Sequence, residues 1–384
     1  MKKITLLLGL ICSVLTAQVP DKPLLKVFDK AHNQQPEKNL LLSPWGIQQC
    51  YNMLSIGTGP ISSREFADIL GLEQEDCKVY TKAIASLDSN KRVFNSFNAV
   101  FYNYRYTLQK TFIDHVIRNC RGRIFYVDMA RKEKCIPLLN DIVKKGSYNL
   151  FPDFFRSGDL QSDPPLIIMN ILWVNLKWSQ PFKLNQTREQ TFKAPGNAQH
   201  KVMMMHDSRH VPYYNDGVVH GVILDTNDKR FKVIMLMPLQ EETPLKTVSA
   251  ALAAKGWPHF VKNASSRNKT LLALPRLQLN CSNDLVKLLR NMGMQAAFDP
   301  LRADMFGIIK NEPLYVAQSR QDVKLILNES GTQIAAVTTA VPKQTSAAPD
   351  AARENTFRAD RPFVILVVDE ETQAVLLSGI ISQP

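Results

Sequence analysis

Long apolar runs from residue 166 onward have the patterns of strands. Leu166 to Leu176 is almost continuously apolar and rich in Ile, Leu and Val, which predicts a central strand covered on both faces. Similar runs cover Phe231 to Leu239, Thr270 to Leu279, and Phe363 to Val368 with a turn that leads into Ala374 to Ile381. These runs predict a core built largely from β-sheet.

Two helix starts are encoded closer to the N-terminus. Ser43-Pro44 combines an N-cap residue with a proline at the first helical position, where the missing N–H has no partner to lose. Ser62 and Glu65 have the spacing of a capping box, which predicts a helix that runs through Leu70 and ends at Gly71. Helices dominate the first half and strands the second, so the predicted fold class is α+β.

A strand-like segment near the C-terminus is placed where a loop is expected. Ser330 to Pro342 reads SGTQIAAVTTAVP, thirteen residues without a charge, and a polar tract from Lys343 to Asn355 follows it. Small and β-branched side chains would line both faces of an extended strand. The second half is typical of an exposed loop that proteases can cut.

These residues resemble the hinge of the serpins, a family of serine protease inhibitors. The likeness rests on Glu329 to Thr332 with Ala335-Ala336, and on Phe357 to Phe363, which is similar to the segment after the family's reactive loop. Further matches fall in the family's order: Asn39 to Pro44, Asn170, Lys177 to Phe182, Leu274 to Arg276, Leu289 to Phe298, Ala303 to Ile308 and Leu314 to Val316. The chain therefore resembles a serpin over nearly its whole mature length, as a single domain at residues 18–384.

The resemblance implies helices around three β-sheets, with an exposed reactive loop at about residues 329–356 that inserts as an extra strand. The implied hinge consists of Glu329, Gly331, Thr332, Ile334, Ala335 and Ala336. Trp178 and an ion pair between Arg276 and Glu329 would form the breach, where the loop enters the sheet. Ser43, Asn170 and Gln321 would form the shutter beneath the moving strands.

Three residues depart from the family pattern at these places. Ile334 takes an inward-facing hinge position where alanine is usual, which predicts slower insertion. Gly46 replaces a usual serine, and Gln321 stands where histidine is usual.

The family's counting places the cleaved bond at Thr345-Ser346, sixteen residues after Glu329. A small residue before the cut favours elastase-like proteases. Lys343 and Arg353 are alternative sites, and they would suit trypsin-like enzymes.

Resemblance to serpins implies irreversible suicide inhibition of serine proteases, with cysteine proteases as a second class of target. The loop is cleaved, the acyl-enzyme is trapped, and the loop enters the main sheet. The alternative is a non-inhibitory serpin that acts as a binding or carrier protein. The chain has no G-x-S-x-G or H-E-x-x-H motif and no phosphate-binding glycine loop, so we expect no enzyme activity, no cofactor and no metal site.

The N-terminus has the pattern of a secretory signal peptide at residues 1–17. Lys2 and Lys3 precede an apolar run from Ile4 to Leu15 that is too short for a membrane helix. We expect a secreted or periplasmic monomer, from a bacterium, without a membrane anchor. Five cysteines would remain after cleavage, and an odd number leaves at least one free or intermolecular thiol, with the pairing open: Cys50, Cys77, Cys120, Cys135 and Cys281.

The chain is basic, with a formal net charge of +12 that falls to +10 once Lys2 and Lys3 are removed. A basic surface attracts polyanions. The clearest clusters are Arg118, Arg121 and Arg123, then Arg131, Lys132 and Lys134. They are a candidate site for a sulfated polysaccharide, although a solvated basic face is the plainer interpretation. No nucleic-acid motif accompanies them, so nucleic acid is not an expected partner.

Overall fold

The computed structural model describes residues 19–73, 77–87, 93–147, 149, 151–158, 160, 164–310, 312, 314–332 and 354–384. The predicted signal peptide at residues 1–17 lies outside these ranges. No helix within them is long and apolar enough to cross a membrane.

Helices surround the sheets, and most of them precede residue 150. They are α1 (Lys22–Gln34), α2 (Pro44–Ser55), α3 (Pro60–Leu70), α4 (Cys77–Leu87), α5 (Lys110–Asp114), α6 (Lys132–Gly146), α7 (Lys246–Lys255), α8 (Trp257–Lys262) and α9 (Leu285–Asn291). A π-helix (His115–Asn119) follows α5, and short 3-10 turns cover Leu184–Gln186, Pro195–Asn197 and Ala296–Phe298.

Strands form the centre of the molecule. They are β1 (Leu40–Leu42), β2 (Phe94–Asn103), β3 (Arg123–Val127), β4 (Leu166–Val174), β5 (Leu176–Lys177), β6 (Thr187–Lys193), β7 (Gln199–His210), β8 (Tyr213–Asn215), β9 (Val219–Asp225), β10 (Phe231–Pro238), β11 (Lys269–Pro275), β12 (Leu277–Asp284), β13 (Arg320–Leu327), β14 (Gly331–Thr332), β15 (Asn355–Arg358), β16 (Phe363–Asp369) and β17 (Val375–Ile381). The α+β class is confirmed.

The predicted cap of α2 is confirmed, because Ser43 Oγ accepts a hydrogen bond from Gly46 N at 3.1 Å. The predicted capping box of α3 is wrong, since this helix begins earlier, at Pro60, and Ser62 lies inside it. The carboxylate of Asp304 caps α3 from a distant part of the chain and accepts from the backbone N–H groups of residues 61 and 62 at 2.8 and 2.9 Å. Gly71 ends the helix at φ +67°, as predicted.

Two of the sheets carry most of the core. One is six-stranded in the order β1-β17-β16-β10-β9-β8, and the other is four-stranded in the order β15-β11-β7-β6, among the residues described. Strands β10, β16 and β17 confirm the predicted runs after Phe231 and Phe363. The run from Thr270 to Leu279 is instead divided at Arg276, so that β11 and β12 belong to different sheets.

The remaining strands form three separate ladders among the described residues. The short pair β14-β5 joins the other two, because β5 follows β4 and β14 follows β13 along the chain, and we call the whole the split sheet. Strands β3, β2 and β4 make one half, and β12 and β13 make the other. Both faces of β4 are covered, as predicted: Ile168 and Leu172 pack against the main core, while Met169 and Ile171 pack with α6. The described residues show no ladder between β4 and β13. We call the space between these two strands the slot.

Candidate functional site

The chain turns back into the slot directly after β13. Asn328 N donates to Gly331 O at 2.9 Å, and Gly331 N donates to Asn328 O at 3.1 Å, which closes a tight turn. Gly331 and Thr332 then pair antiparallel with Lys177 and Leu176 of β5. Gly331 and Thr332 of the predicted loop therefore lie at the top of the slot as the start of a strand.

Gly331 is required by this turn. Its φ is +140°, a conformation that residues with a side chain rarely adopt. A Cβ atom at this position would lie 2.1 Å from the carbonyl oxygen of Leu176. Only glycine lets the backbone approach β5 this closely.

Glu329 and Arg276 meet at the mouth of the slot. Arg276 Nε donates to Glu329 Oε1 at 2.8 Å, and Thr187 Oγ1 donates to the same oxygen at 2.6 Å. Burial alone would raise the pKa of Glu329, but the hydrogen bonds from Arg276 and Thr187 outweigh it and hold the pKa below its usual value. The carboxylate is therefore charged at neutral pH and ties the hinge to the start of β6 and to the junction between β11 and β12.

Trp178 holds the backbone of the same turn. Its side chain is buried, and its Nε1 donates to Asn328 O at 2.9 Å. Its backbone N donates to Ser330 O at 3.0 Å, while Phe182 N donates to Glu329 O at 2.9 Å. Each carbonyl from 328 to 330 thus has a partner in the segment that follows β5.

Ser43, Asn170 and Gln321 come together beneath the slot. The Gln321 side chain makes two hydrogen bonds to the backbone of Ser43: it accepts from Ser43 N at 2.8 Å and donates to Ser43 O at 2.9 Å. A Cβ atom on Gly46 would lie 2.8 Å from Asn170 Oδ1 and 3.1 Å from Gln321 Nε2. Glycine at position 46 therefore leaves the room that these two amides occupy.

The polar cluster extends into β2 through two residues that the sequence interpretation did not include. Asn170 Nδ2 donates to Ser96 Oγ at 2.8 Å and to Asn98 Oδ1 at 2.7 Å, and Asn98 Nδ2 donates to Cys120 O at 2.8 Å. Polar side chains inside the otherwise apolar pattern of β2 are the signal that could have revealed them.

Other predicted site residues lie outside the described residues. These are Ile334, Ala335, Ala336, Lys343, Thr345, Ser346 and Arg353. Within the described part of the chain, no group of three or more His, Cys, Asp and Glu side chains is placed to hold a metal ion. Cys50, Cys135 and Cys281 are free thiols, so no disulfide joins Cys120 to Cys135.

The predicted basic cluster is divided between the π-helix, β3 and the start of α6. Arg118 lies 3.5 Å from Asp114, and Arg131 lies 3.3 Å from Asp128, so acidic neighbours partly offset both charges. Lys132 Nζ donates to Leu160 O at 2.7 Å. The surface is basic but carries internal ion pairs.

Known proteins are similar to this chain in sequence and in architecture over nearly their whole length. Plasminogen activator inhibitor 1 of Bos taurus is 26% identical over 372 residues, which cover 94% of this chain and 90% of that protein. The crystal structure of native protease nexin-1 with heparin has a TM-score of 0.82 at 19% identity, and covers 96% of this chain and 99% of its own. The complex of thyroxine-binding globulin with thyroxine has a TM-score of 0.83 at 20% identity, with the same coverage of both chains.

The two solved structures establish the fold, a serpin fold of helices around several sheets. A family model described as Serpin (serine protease inhibitor) matches residues 24–384, nearly the whole chain. With the split sheet and the hinge in place, this protein belongs to the serpin family.

Proposed function

We propose that this serpin is an irreversible suicide inhibitor of serine proteases. The observation that carries the proposal is the hinge, where the chain turns back after β13 and Gly331 and Thr332 pair with β5 at the top of the slot. A chain that continued in this direction would become a new strand between β4 and β13. Insertion of such a loop into a sheet is a known way to release strain stored in a fold.

The length of the following sequence supports this proposal. Continued in the register of Gly331 with Lys177, the ladder would bring Pro342 opposite Leu166, the first residue of β4. Pro342 is also the last residue of the charge-free tract. Proline lacks the N–H of a ladder donor, and at the end of the strand this loss is small. The uncharged tract and the slot thus have matching lengths.

The proposed mechanism needs no catalytic group on this chain. The protease serine attacks the carbonyl of the loop bond, the new amine end leaves, and an acyl-enzyme ester remains on the loop. Insertion of residues 333–342 would then carry the attached protease along and distort it before water can attack the ester. The native fold would be held by a kinetic barrier, because the inserted form has more paired strand.

The proposed scissile bond is Thr345-Ser346, with Lys343 and Arg353 as alternatives. Elastase, trypsin and subtilisin should each be mixed with the protein and the products separated in SDS. A species of summed mass that resists SDS is expected with at least one protease, and mass spectrometry of the released C-terminal peptide identifies the bond. Clean cleavage without a complex, across all three, would contradict inhibition and favour the binding or carrier function.

We also propose export of the mature protein and binding of a sulfated polysaccharide. The N-terminal pattern supports export, and the net charge of +12 with the Arg118, Arg121 and Arg123 cluster supports polyanion binding. Replacing these three arginines by alanine should lower the salt concentration that elutes the protein from immobilised heparin. Replacing three exposed lysines elsewhere, Lys183, Lys229 and Lys262, should lower it less; equal shifts would indicate attraction by net charge alone.

A further inference from the structure

Arg320, the first residue of β13, makes a contact with the segment that follows α6. Its Nη2 donates to Phe154 O at 2.6 Å, and its guanidinium carbon lies 4.5 Å from the centre of the Phe154 ring. Asp322 lies 3.4 Å from the same Nη2 and accepts a hydrogen bond from Ser282 of β12 at 2.6 Å. The arginine is therefore oriented by its own half of the split sheet, β12 and β13.

The segment that it contacts belongs to the opposite half of the split sheet. We call residues 151–155 the strap. The side-chain amide of Asn140 in α6 binds the backbone of Phe155 twice, at 2.8 and 2.9 Å. Phe155 is buried in the cluster that contains Met169 and Ile171 of β4, and Phe151 and Phe154 pack against that cluster. The strap is thus fixed to α6 and β4.

Arg320 consequently reaches across the slot. The described residues show no backbone ladder between β4 and β13, so the Arg320 contact with the strap is a link between the two halves on the face covered by α6. Gln321, the next residue, makes its contact on the opposite face, with Ser43 at the start of α2. Arg320 and Gln321 therefore make contacts at the same end of the slot but on opposite faces of the sheet: Arg320 contacts the strap, and Gln321 contacts the start of α2.

We propose that Arg320 is a positioning residue that fastens the strap across the slot, so that a strand entering the slot is covered on its outer face. This inference rests on the proposed function, since the covered strand is the inserted loop. The contact combines a charged hydrogen bond with a cation–π contact, which lysine cannot reproduce in the same geometry. The arginine and the strap should act as one unit on the inserted form.

The test compares Arg320→Ala, Phe154→Leu and the double variant, with Arg267→Ala as a control at an exposed arginine in another part of the molecule. Phe154→Leu keeps the carbonyl acceptor and removes the ring. Each protein is measured intact and after loop cleavage, by the midpoint of thermal unfolding. Arg320→Ala should lower the midpoint of the cleaved form by about 2 °C or more, and lower that of the intact form less. The two single changes should not add in the double variant, because they remove one contact.

A second measurement is the number of inhibitor molecules consumed per protease, which should rise several-fold in Arg320→Ala and less in Arg320→Lys. Equal losses of stability in the intact and cleaved forms, or strictly additive effects, would overturn the positioning function of Arg320. If the protein is not a suicide inhibitor, the result is different, because the wild-type protein itself then forms no covalent complex with a protease. The cleaved-form comparison still decides the Arg320 contact in that case.

Discussion

Gln321 replaces the histidine that resemblance to the family leads one to expect, and its contacts show what the replacement does. The amide donates to and accepts from the backbone of Ser43, so both of its polar atoms are used. Histidine changes charge between pH 5 and 8, whereas an amide does not. The link between β13 and the start of α2 is therefore independent of pH in this protein.

Acid sensitivity is expected instead at His220 in β9. Its ring is buried, lies 5.4 Å from the ring of Phe357 in β15, and has Nδ1 3.0 Å from the hydroxyl of Tyr213. Its Nε2 has no hydrogen-bond partner among the described residues. Burial, aided by the nearby positive charge of Arg361, lowers the pKa of His220 to about 4.

This shift predicts a loss of stability in mild acid. The unfolded chain binds the proton with a pKa of about 6.5, and the folded protein binds it only near the lowered value. The contribution of His220 to the free energy of unfolding should therefore fall as pH drops from about 6.5 to about 4, and level off below that. His220→Gln removes the titrating group, so its thermal midpoint should fall less over this range than that of wild type. Parallel curves for the two proteins would contradict the assignment.

At the scale of helices and strands, the sequence patterns correctly predicted the features that depend on interactions between residues close in sequence. The cap of α2 and the strands after Phe231 and Phe363 each depend on residues close in sequence, and these predictions are confirmed. The start of α3 depends on Asp304, which is 243 residues from Ile61, and the sequence gives no sign of that contact. The same limit applies to the division of β11 from β12 at Arg276.

The slot could not be predicted from the apolar pattern of β4. A strand covered on both faces has the same sequence whether or not a neighbour pairs with its edge, because the pattern reports the faces and not the ladder. The resemblance to serpins pointed to Trp178, Arg276, Glu329 and the shutter residues as site residues. In the structure, the first three lie at one end of this slot and the shutter residues lie at the other. The strap contact was not predicted, since Arg320 and Phe154 are 166 residues apart.

For the whole molecule, the split sheet has a position for one further strand, between β4 and β13. The six- and four-stranded sheets hold the main core, while the edges of β4 and β13 lack strand partners below the hinge among the described residues. Unpaired backbone groups cost free energy unless water or another strand satisfies them. A cleaved loop that enters the slot should supply those hydrogen bonds and stabilise the fold as a whole.

Cleavage of the loop should therefore raise the midpoint of thermal unfolding, although a cut chain is ordinarily less stable. Gly331→Ala should abolish most of this rise, because alanine at φ +140° would clash with Leu176 O and prevent the ladder with β5. Gly196→Ala is the matched control: it also has a positive φ, +69°, but has no atom within 4 Å of the added Cβ. Calorimetry before and after cleavage measures the rise in each protein. An equal rise in Gly331→Ala and Gly196→Ala would show that the hinge does not lead the loop into the slot, since only one of these glycines lies at its entrance.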